Sequence, residues 1–221
     1  MKKLFVFRRE IPILIFVLSP LIYVLYAWSI LPERIPIHWN LENKIDGWGG
    51  KGALLLMPGF SLLFYFLMLF FPRLDPKRKN YERFGKAYYT IRLALHAFFA
   101  GATMMIVLAA QGVEVNAARV LMAGVALLFL VLGNVMGTVK PNYFVGFRTA
   151  WTLNDEEVWT KTHRFAARVW FIGSLVAGAM IFLPLLWAAV GFFTTILVMV
   201  IVPGVYSYRL YKNKRMQEPV K

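Results

Sequence analysis

The sequence predicts an all-α membrane protein, a bundle of six transmembrane helices with both termini in the cytoplasm. Three observations predict it: 59% of the 221 residues are hydrophobic, six long apolar runs follow one another, and the basic residues crowd into alternate connections. A mean hydropathy of +0.59 lies far from that of a soluble domain. The chain contains no cysteine, which excludes disulfides and thiolate metal sites.

Each apolar run is long enough to cross a bilayer as a helix, which takes roughly 20 residues. The predicted spans cover residues 11–31, 53–72, 91–110, 119–138, 168–187 and 189–208. The apolar part of the first run is longer than that of a typical secretory signal, so we interpret it as a retained span. An even number of spans puts both termini on the same side.

The basic residues indicate which side that is. With Arg92 counted in the second connection, all of the 25 Lys and Arg residues except Arg34, Lys44, Lys51 and Arg119 lie in the terminal segments or in the second and fourth connections. Because basic residues favour the cytoplasmic side, both termini are predicted to be inside. The net charge of +14 is then explained by topology and by attraction to membrane lipids, and direct binding of nucleic acid is not required.

The first connection, residues 32–52, is predicted to form a small ordered cap outside the membrane. Its prolines favour extended backbone, and its Asp-Gly and Gly-Gly pairs favour turns. Two interpretations of its polar and aromatic side chains stay open. His38 is either a hydrogen-bonded structural residue, or it presents a recognition surface together with Trp39, Asp46 and Trp48.

The second connection is basic and rich in tyrosine, which is typical of a segment lying at the membrane interface. Arg92, at the start of the third span, is predicted to reach back to the cytoplasmic interface, while His96 lies deeper. No predicted span has Asp or Glu in its middle, and this argues against an ion-coupled transporter.

The fourth connection, residues 139–168, carries the densest set of polar groups. Asn154 is followed by three acids, a pattern that predicts a helix N-cap. Helical spacing of the apolar residues after it predicts an amphipathic helix on the inner leaflet that leads into the fifth span.

A simple connector does not require Arg148, Thr149, Trp151 and Thr152. Arg148 could bind the carboxylates of Asp155 or Glu156, the last carbonyls of a helix, or a lipid phosphate, so a structural and a binding role both stay open. No nucleophile and base stand at a recognisable spacing, so we predict no enzyme activity and no cofactor.

The same stretch carries a resemblance to a known family. Residues 133–136 (GNVM), Asn142, residues 146–153 (GFRTAWTL) and residues 155–159 (DEEVW) are similar to the signature of the family of the Sdp toxin immunity protein. Residues 31–40 and 46–51 resemble the uncharacterised DUF1648-type module that accompanies it. Ala150 departs from the family pattern, in which proline follows Arg-Thr.

The resemblance implies a multi-pass protein of the bacterial cytoplasmic membrane that protects it from a secreted toxic peptide. In the founding system the protein also captures a cytoplasmic transcriptional repressor. We expect two modules, residues 1–72 and 73–221. The candidate contacts are His38, Trp39, Asp46 and Trp48 on the outer face, and Asn134, Asn142, Arg148, Thr149, Trp151 and Thr152 on the inner face.

Two other functions would make different demands on the sequence. A small transporter or lipid-binding envelope protein would need a polar cavity, which Asn134, His96 and Arg148 could line. A membrane enzyme would need a convergent catalytic set or a metal. The three histidines, His38, His96 and His163, are predicted at three different depths and therefore cannot share one ion.

Overall fold

The computed structural model describes residues 7–40 and 42–217, so the predicted location of the two chain ends falls outside the described residues. The elements are α1 (Phe7–Tyr26), β1 (Arg34–Trp39), β2 (Ile45–Gly50), α2 (Leu56–Leu74), α3 (Asn80–Arg83), α4 (Gly85–Ala110), α5 (Ala117–Met136), α6 (Ala150–Asn154), α7 (Glu156–Met180) and α8 (Leu185–Gln217). A 3₁₀ turn, Lys51–Leu55, leads into α2.

The six long helices form one bundle. α1 packs against α2 and α4, α4 also packs against α5, and α7 lies between α5 and α8. The β1–β2 hairpin stands at one end, which we call the hairpin end, and the α5–α7 connection (residues 137–155) stands at the opposite loop end. Within the described residues, five helices are long and apolar enough to cross a membrane: α1, α2 with its 3₁₀ turn, α4, α5 and α8. A helical multi-pass membrane protein is therefore confirmed, and the sixth span stays a prediction.

α7 differs from what the sequence predicts. The prediction of a separate helix lying on the inner leaflet is wrong, because one unbroken helix runs from Glu156 to Met180. The predicted two-sided character is present, since Val158 and Trp159 are buried in the bundle while Lys161 is exposed. The N-cap of α7 is Asp155, whose carboxylate accepts hydrogen bonds from the backbone N–H groups of Glu157 (2.8 Å) and Val158 (3.0 Å). Asn154 instead ends α6.

Gly133 lets the backbones of α5 and α7 approach closely. A Cβ atom at this position would lie 2.7 Å from the backbone nitrogen of Phe171, so only glycine fits here. The contact brings the middle of α7 close to α5.

The first connection folds as an antiparallel hairpin that is fastened to the helices at two points. Ile35 is fully buried among Val24 of α1, Leu54 of the 3₁₀ turn, Val107 of α4 and their apolar neighbours. Near the turn, Asn43 adopts a positive φ of 60° and its amide nitrogen donates to the carbonyl of Val115 at 3.1 Å. The hairpin is thus seated on the α4–α5 connection.

Arg92 does not reach the interface as predicted. It is 1% exposed and its guanidinium donates two hydrogen bonds to Glu10 of α1. The prediction was wrong because Glu10 precedes the first apolar run in the sequence but turns into the bundle and supplies the missing counter-charge. His96 is also fully buried, and its Nδ1 lies 3.0 Å from the hydroxyl of Ser61.

Candidate functional site

Asn142 organises the α5–α7 connection. Its Oδ1 accepts from the backbone N–H groups of Phe144 (2.9 Å) and Val145 (2.7 Å) and from the Tyr81 hydroxyl (3.3 Å), while its amide nitrogen donates to the carbonyls of Lys140 (2.9 Å) and Val145 (2.8 Å). The side chain is 1% exposed. Because its hydrogen-bonding capacity is taken up inside the protein, Asn142 shapes the connection and offers little to a ligand.

Asp75, directly after α2, holds the same connection from the opposite side. Its carboxylate accepts from the Tyr81 hydroxyl (3.0 Å), from the backbone N–H of Tyr143 (2.8 Å) and from that of Lys77 (2.7 Å). Burial, with the adjacent Asp75 carboxylate, raises the pKa of Tyr81 well above its usual range, so Tyr81 remains a hydrogen-bond donor. Sequence reasoning missed Asp75, although an acid between two prolines just after an apolar run was the available signal.

His163 anchors the middle of the connection to α7. Its Nε2 accepts from the backbone N–H of Phe147 at 2.9 Å, and its Nδ1 donates to the carbonyl of Trp159 at 2.8 Å. The two bonds require the neutral ring with the proton on Nδ1. Gly146 has a φ of 113°, and a Cβ there would lie 2.5 Å from Nε2. The glycine is therefore needed both for backbone conformation and for space.

Thr149 and Thr152 form a reciprocal cap at the start of α6. The Thr152 backbone N–H donates to Thr149 Oγ1 (3.2 Å), and the Thr149 backbone N–H donates to Thr152 Oγ1 (2.9 Å). Thr149 Oγ1 also lies 3.2 Å from the hydroxyl of Ser207 in α8. Trp151 packs beside Tyr208, with ring centroids 5.1 Å apart. Thr149 and Trp151 therefore join the connection to α8, and Thr152 holds Thr149 in place.

Arg148 makes one hydrogen bond within the connection, and much of its side chain is exposed to its surroundings. Its Nη1 donates to the Tyr143 carbonyl at 2.7 Å, yet the side chain is exposed. The alternative in which it pairs with Asp155 or Glu156 is not realised, since Asp155 pairs with Lys214 (2.7 Å) and Glu156 with Lys77 (3.2 Å). The remaining N–H groups of the guanidinium can reach a phosphate or a carboxylate on a partner.

Asn134 is exposed on α5, whereas His96 is fully buried. His96 lies between α2 and α4, where it meets Ser61, and Arg148 faces outward. The three side chains proposed to line a transport cavity therefore do not face a common space. The histidines also stay apart, because His38 is in β1, His96 in α4 and His163 in α7.

The four predicted residues of the hairpin end lie on the two paired strands. His38 Nδ1 contacts Asp46 Oδ1, and both side chains remain substantially exposed. Trp48 is half exposed. Trp39 lines a cavity of about 540 Å³ between the hairpin and the α4–α5 connection, with Glu114 on its opposite wall. The arrangement presents aromatic rings and a polar pair on a fixed support.

Comparison with known proteins shows which families and which curated protein this chain resembles. Residues 138–207 match the model of the SdpI/YfhL protein family, and residues 15–62 match a domain of unknown function, DUF1648. The chain is 27% identical over 206 residues to "Immunity protein SdpI" of Bacillus subtilis (strain 168), which covers 93% of this chain and 97% of that protein. No solved structure matches the chain. This multi-pass membrane protein therefore carries one segment that matches DUF1648 and one that matches the SdpI/YfhL family, and its resemblance to the family of the Sdp toxin immunity protein is confirmed.

Proposed function

We propose that this chain is an immunity protein of the bacterial cytoplasmic membrane. It protects the membrane from a secreted toxic peptide at the hairpin end and holds a cytoplasmic transcriptional repressor at the loop end. The observation that carries the proposal is the similarity to a protein named as an immunity protein along nearly the whole length of both chains, which includes both ends of the bundle. No catalytic step is part of this function.

The hairpin end suits a peptide that arrives from outside. Trp48 is half exposed on the hairpin, and indole rings settle at the depth of lipid headgroups, where a membrane-active peptide first lodges. Ile35 and Asn43 fix the hairpin to the bundle, so the surface is formed before the peptide binds. Little ordering entropy is then lost on binding.

The loop end suits a protein partner. The connection is held in shape by Asp75, Asn142 and His163, while Arg148 and Tyr143 stay exposed on it. Arginine and tyrosine are enriched among the residues that contribute most to protein interfaces. A repressor with an acidic surface would meet a preformed cationic contact here.

α4 is the element we propose to couple the two ends. It packs against β1 near the hairpin end, and its Arg92 is bonded to α1 nearer the loop end. A toxin that shifts the hairpin would therefore act on a helix that borders the loop end as well. The proposed division into modules 1–72 and 73–221 places this contact between the two modules.

The test is protection of a strain sensitive to the Sdp toxin. Cells that express the chain are expected to need a higher toxin concentration for the same growth inhibition than cells with an empty vector. Trp48→Ala is expected to lose much of this protection. Trp187→Ala is the matched control, since Trp187 is another exposed indole, in the first turn of α8, and it should protect like wild type. Normal membrane insertion with no protection by the wild-type chain would refute the proposal.

A further inference from the structure

A cationic cavity lies at the loop end, between the start of α1 and the start of α4. Its volume is about 630 Å³, and Arg9, Arg83 and Lys86 contribute its positive charges. Glu82 is the acid in its lining. The proposed function does not use this cavity, whose lining includes Thr138 of the α5–α7 connection but not Arg148.

The three cations are not neutralised by the described part of the chain. All three are exposed, and within residues 7–40 and 42–217 no carboxylate lies at ion-pair distance from any of them. The acid beside Arg9 in the sequence, Glu10, turns into the bundle, where Arg92 binds both of its oxygens. The lining therefore keeps an excess of positive charge that an anion can compensate.

The position of the cavity indicates which anion. α1 and α4 both begin here, and both are apolar enough to cross a membrane, so the mouth of the cavity lies at the level of the headgroups. Phe84 and Tyr89 add aromatic surface to the lining. Basic pockets between transmembrane helices at the cytoplasmic face are suited to anionic lipid headgroups. A lipid presents its phosphate here while its chains stay in the bilayer.

We propose that this cavity binds the phosphate-bearing headgroup of an anionic phospholipid. Lys86 at the start of α4, Arg83 at the end of α3 and Arg9 of α1 contact the phosphate, so that one lipid bridges the starts of α1 and α4. The arginine side chains supply paired N–H donors and the lysine supplies a mobile ammonium group. The bound lipid then strengthens the same α1–α4 contact that the Glu10–Arg92 pair forms inside the bundle.

Native mass spectrometry of the purified full chain tests the proposal, with phosphatidylglycerol and phosphatidylcholine as probes. The wild-type protein is expected to retain phosphatidylglycerol more tightly than phosphatidylcholine. The double variant Arg83→Gln/Lys86→Gln is expected to lose about tenfold in affinity for phosphatidylglycerol and to bind phosphatidylcholine as before.

A matched double variant, Arg78→Gln/Lys79→Gln, removes the same two charges from exposed residues outside the cavity. It is expected to bind phosphatidylglycerol as wild type does. An equal loss in both double variants would overturn the proposal in favour of diffuse surface attraction. Displacement of the lipid by excess inorganic phosphate would overturn it in favour of a site for free phosphate. Unchanged melting temperatures of both variants verify that the fold is intact.

Discussion

Glu10 and Arg92 join the first helix to α4 through two parallel hydrogen bonds inside the bundle. Nη1 donates to Oε1 at 2.9 Å and Nη2 to Oε2 at 2.7 Å. The guanidinium also lies over the Tyr65 ring, 5.4 Å from its centroid. Because both charges are withdrawn from water, each one depends on the other for its stability.

We expect that removing one partner destabilises the protein far more than removing both. Glu10→Leu leaves the Arg92 guanidinium without its carboxylate and should lower the free energy of unfolding by about 3–5 kcal/mol. Arg92→Met should have a similar cost, and the double variant should recover most of it. Thermal unfolding of the purified proteins in detergent measures the three effects. A double variant that shows the sum of the two losses would contradict this account of the pair.

For the stability of the protein, the hydrogen bond accepted by His163 Nε2 should contribute more than the packing of the imidazole ring. His163→Phe keeps an aromatic ring beside Trp159 but leaves the backbone N–H of Phe147 without its acceptor, which costs about 1–3 kcal/mol. His163→Gln retains an acceptor and should lose less. Thermal unfolding, together with the rate at which a protease cuts the α5–α7 connection, distinguishes the two variants. Equal behaviour of the two would show that the hydrogen bond contributes little.

Ala150→Pro should stabilise the protein. Ala150 is the first residue of α6 and is exposed, and Thr149 before it is extended (φ −103°, ψ 163°), as a residue before proline must be. A gain of about 0.4–1 kcal/mol is expected from the stiffer unfolded chain. Ala117→Pro, at the start of α5, is the control, since the Ala117 N–H donates to Val115 at 3.0 Å and the same change should destabilise. A lower melting temperature for Ala150→Pro would show that proline does not fit this turn.

Arg148→Ala should weaken the retention of the proposed repressor at the membrane by roughly tenfold or more, the loss expected when charge-assisted hydrogen bonds are removed. Arg148→Lys keeps the charge without the paired donors and should give an intermediate result. Arg164→Ala removes another exposed arginine, from α7, and should behave as wild type. Fractionation of cells and measurement of membrane-bound repressor test this. Full retention by a normally inserted Arg148→Ala protein would remove the support for an inner docking site.

Features that depend on neighbours in the sequence could be predicted from it. Apolar runs located the five helices that are long and apolar enough to cross a membrane. The prolines and glycines of residues 32–52 indicated an ordered cap, now seen as a hairpin. The residue types between Asn142 and Thr152 indicated a specialised connection. Its cap was recognisable in principle from Thr149 and Thr152, because that interaction spans only three residues.

Features that depend on distant pairs could not be predicted. Glu10 and Arg92 are separated by most of the N-terminal half of the chain, so neither residue alone reveals the other. Asp75 gains its role only when α2 ends beside the backbone of Tyr143. The charges of early α7 indicated an interfacial helix, whereas pairing of Asp155 with Lys214 of α8 and close contact with α5 place that segment in the bundle. The exposure of Asn134 could not be predicted either, because it depends on how α5 is rotated about its axis within the bundle.

α8 has 33 residues and so measures about 50 Å, whereas the hydrocarbon layer is about 30 Å thick. Its last turns must stand clear of the lipid at the loop end, where Lys214 braces them against Asp155 and Glu157 at the start of α7. The connection that carries Arg148 consequently lies beside this projecting end of α8. The proposed partner has to approach Arg148 from the side that α8 does not cover. The length of α8 therefore restricts the direction from which that partner can dock.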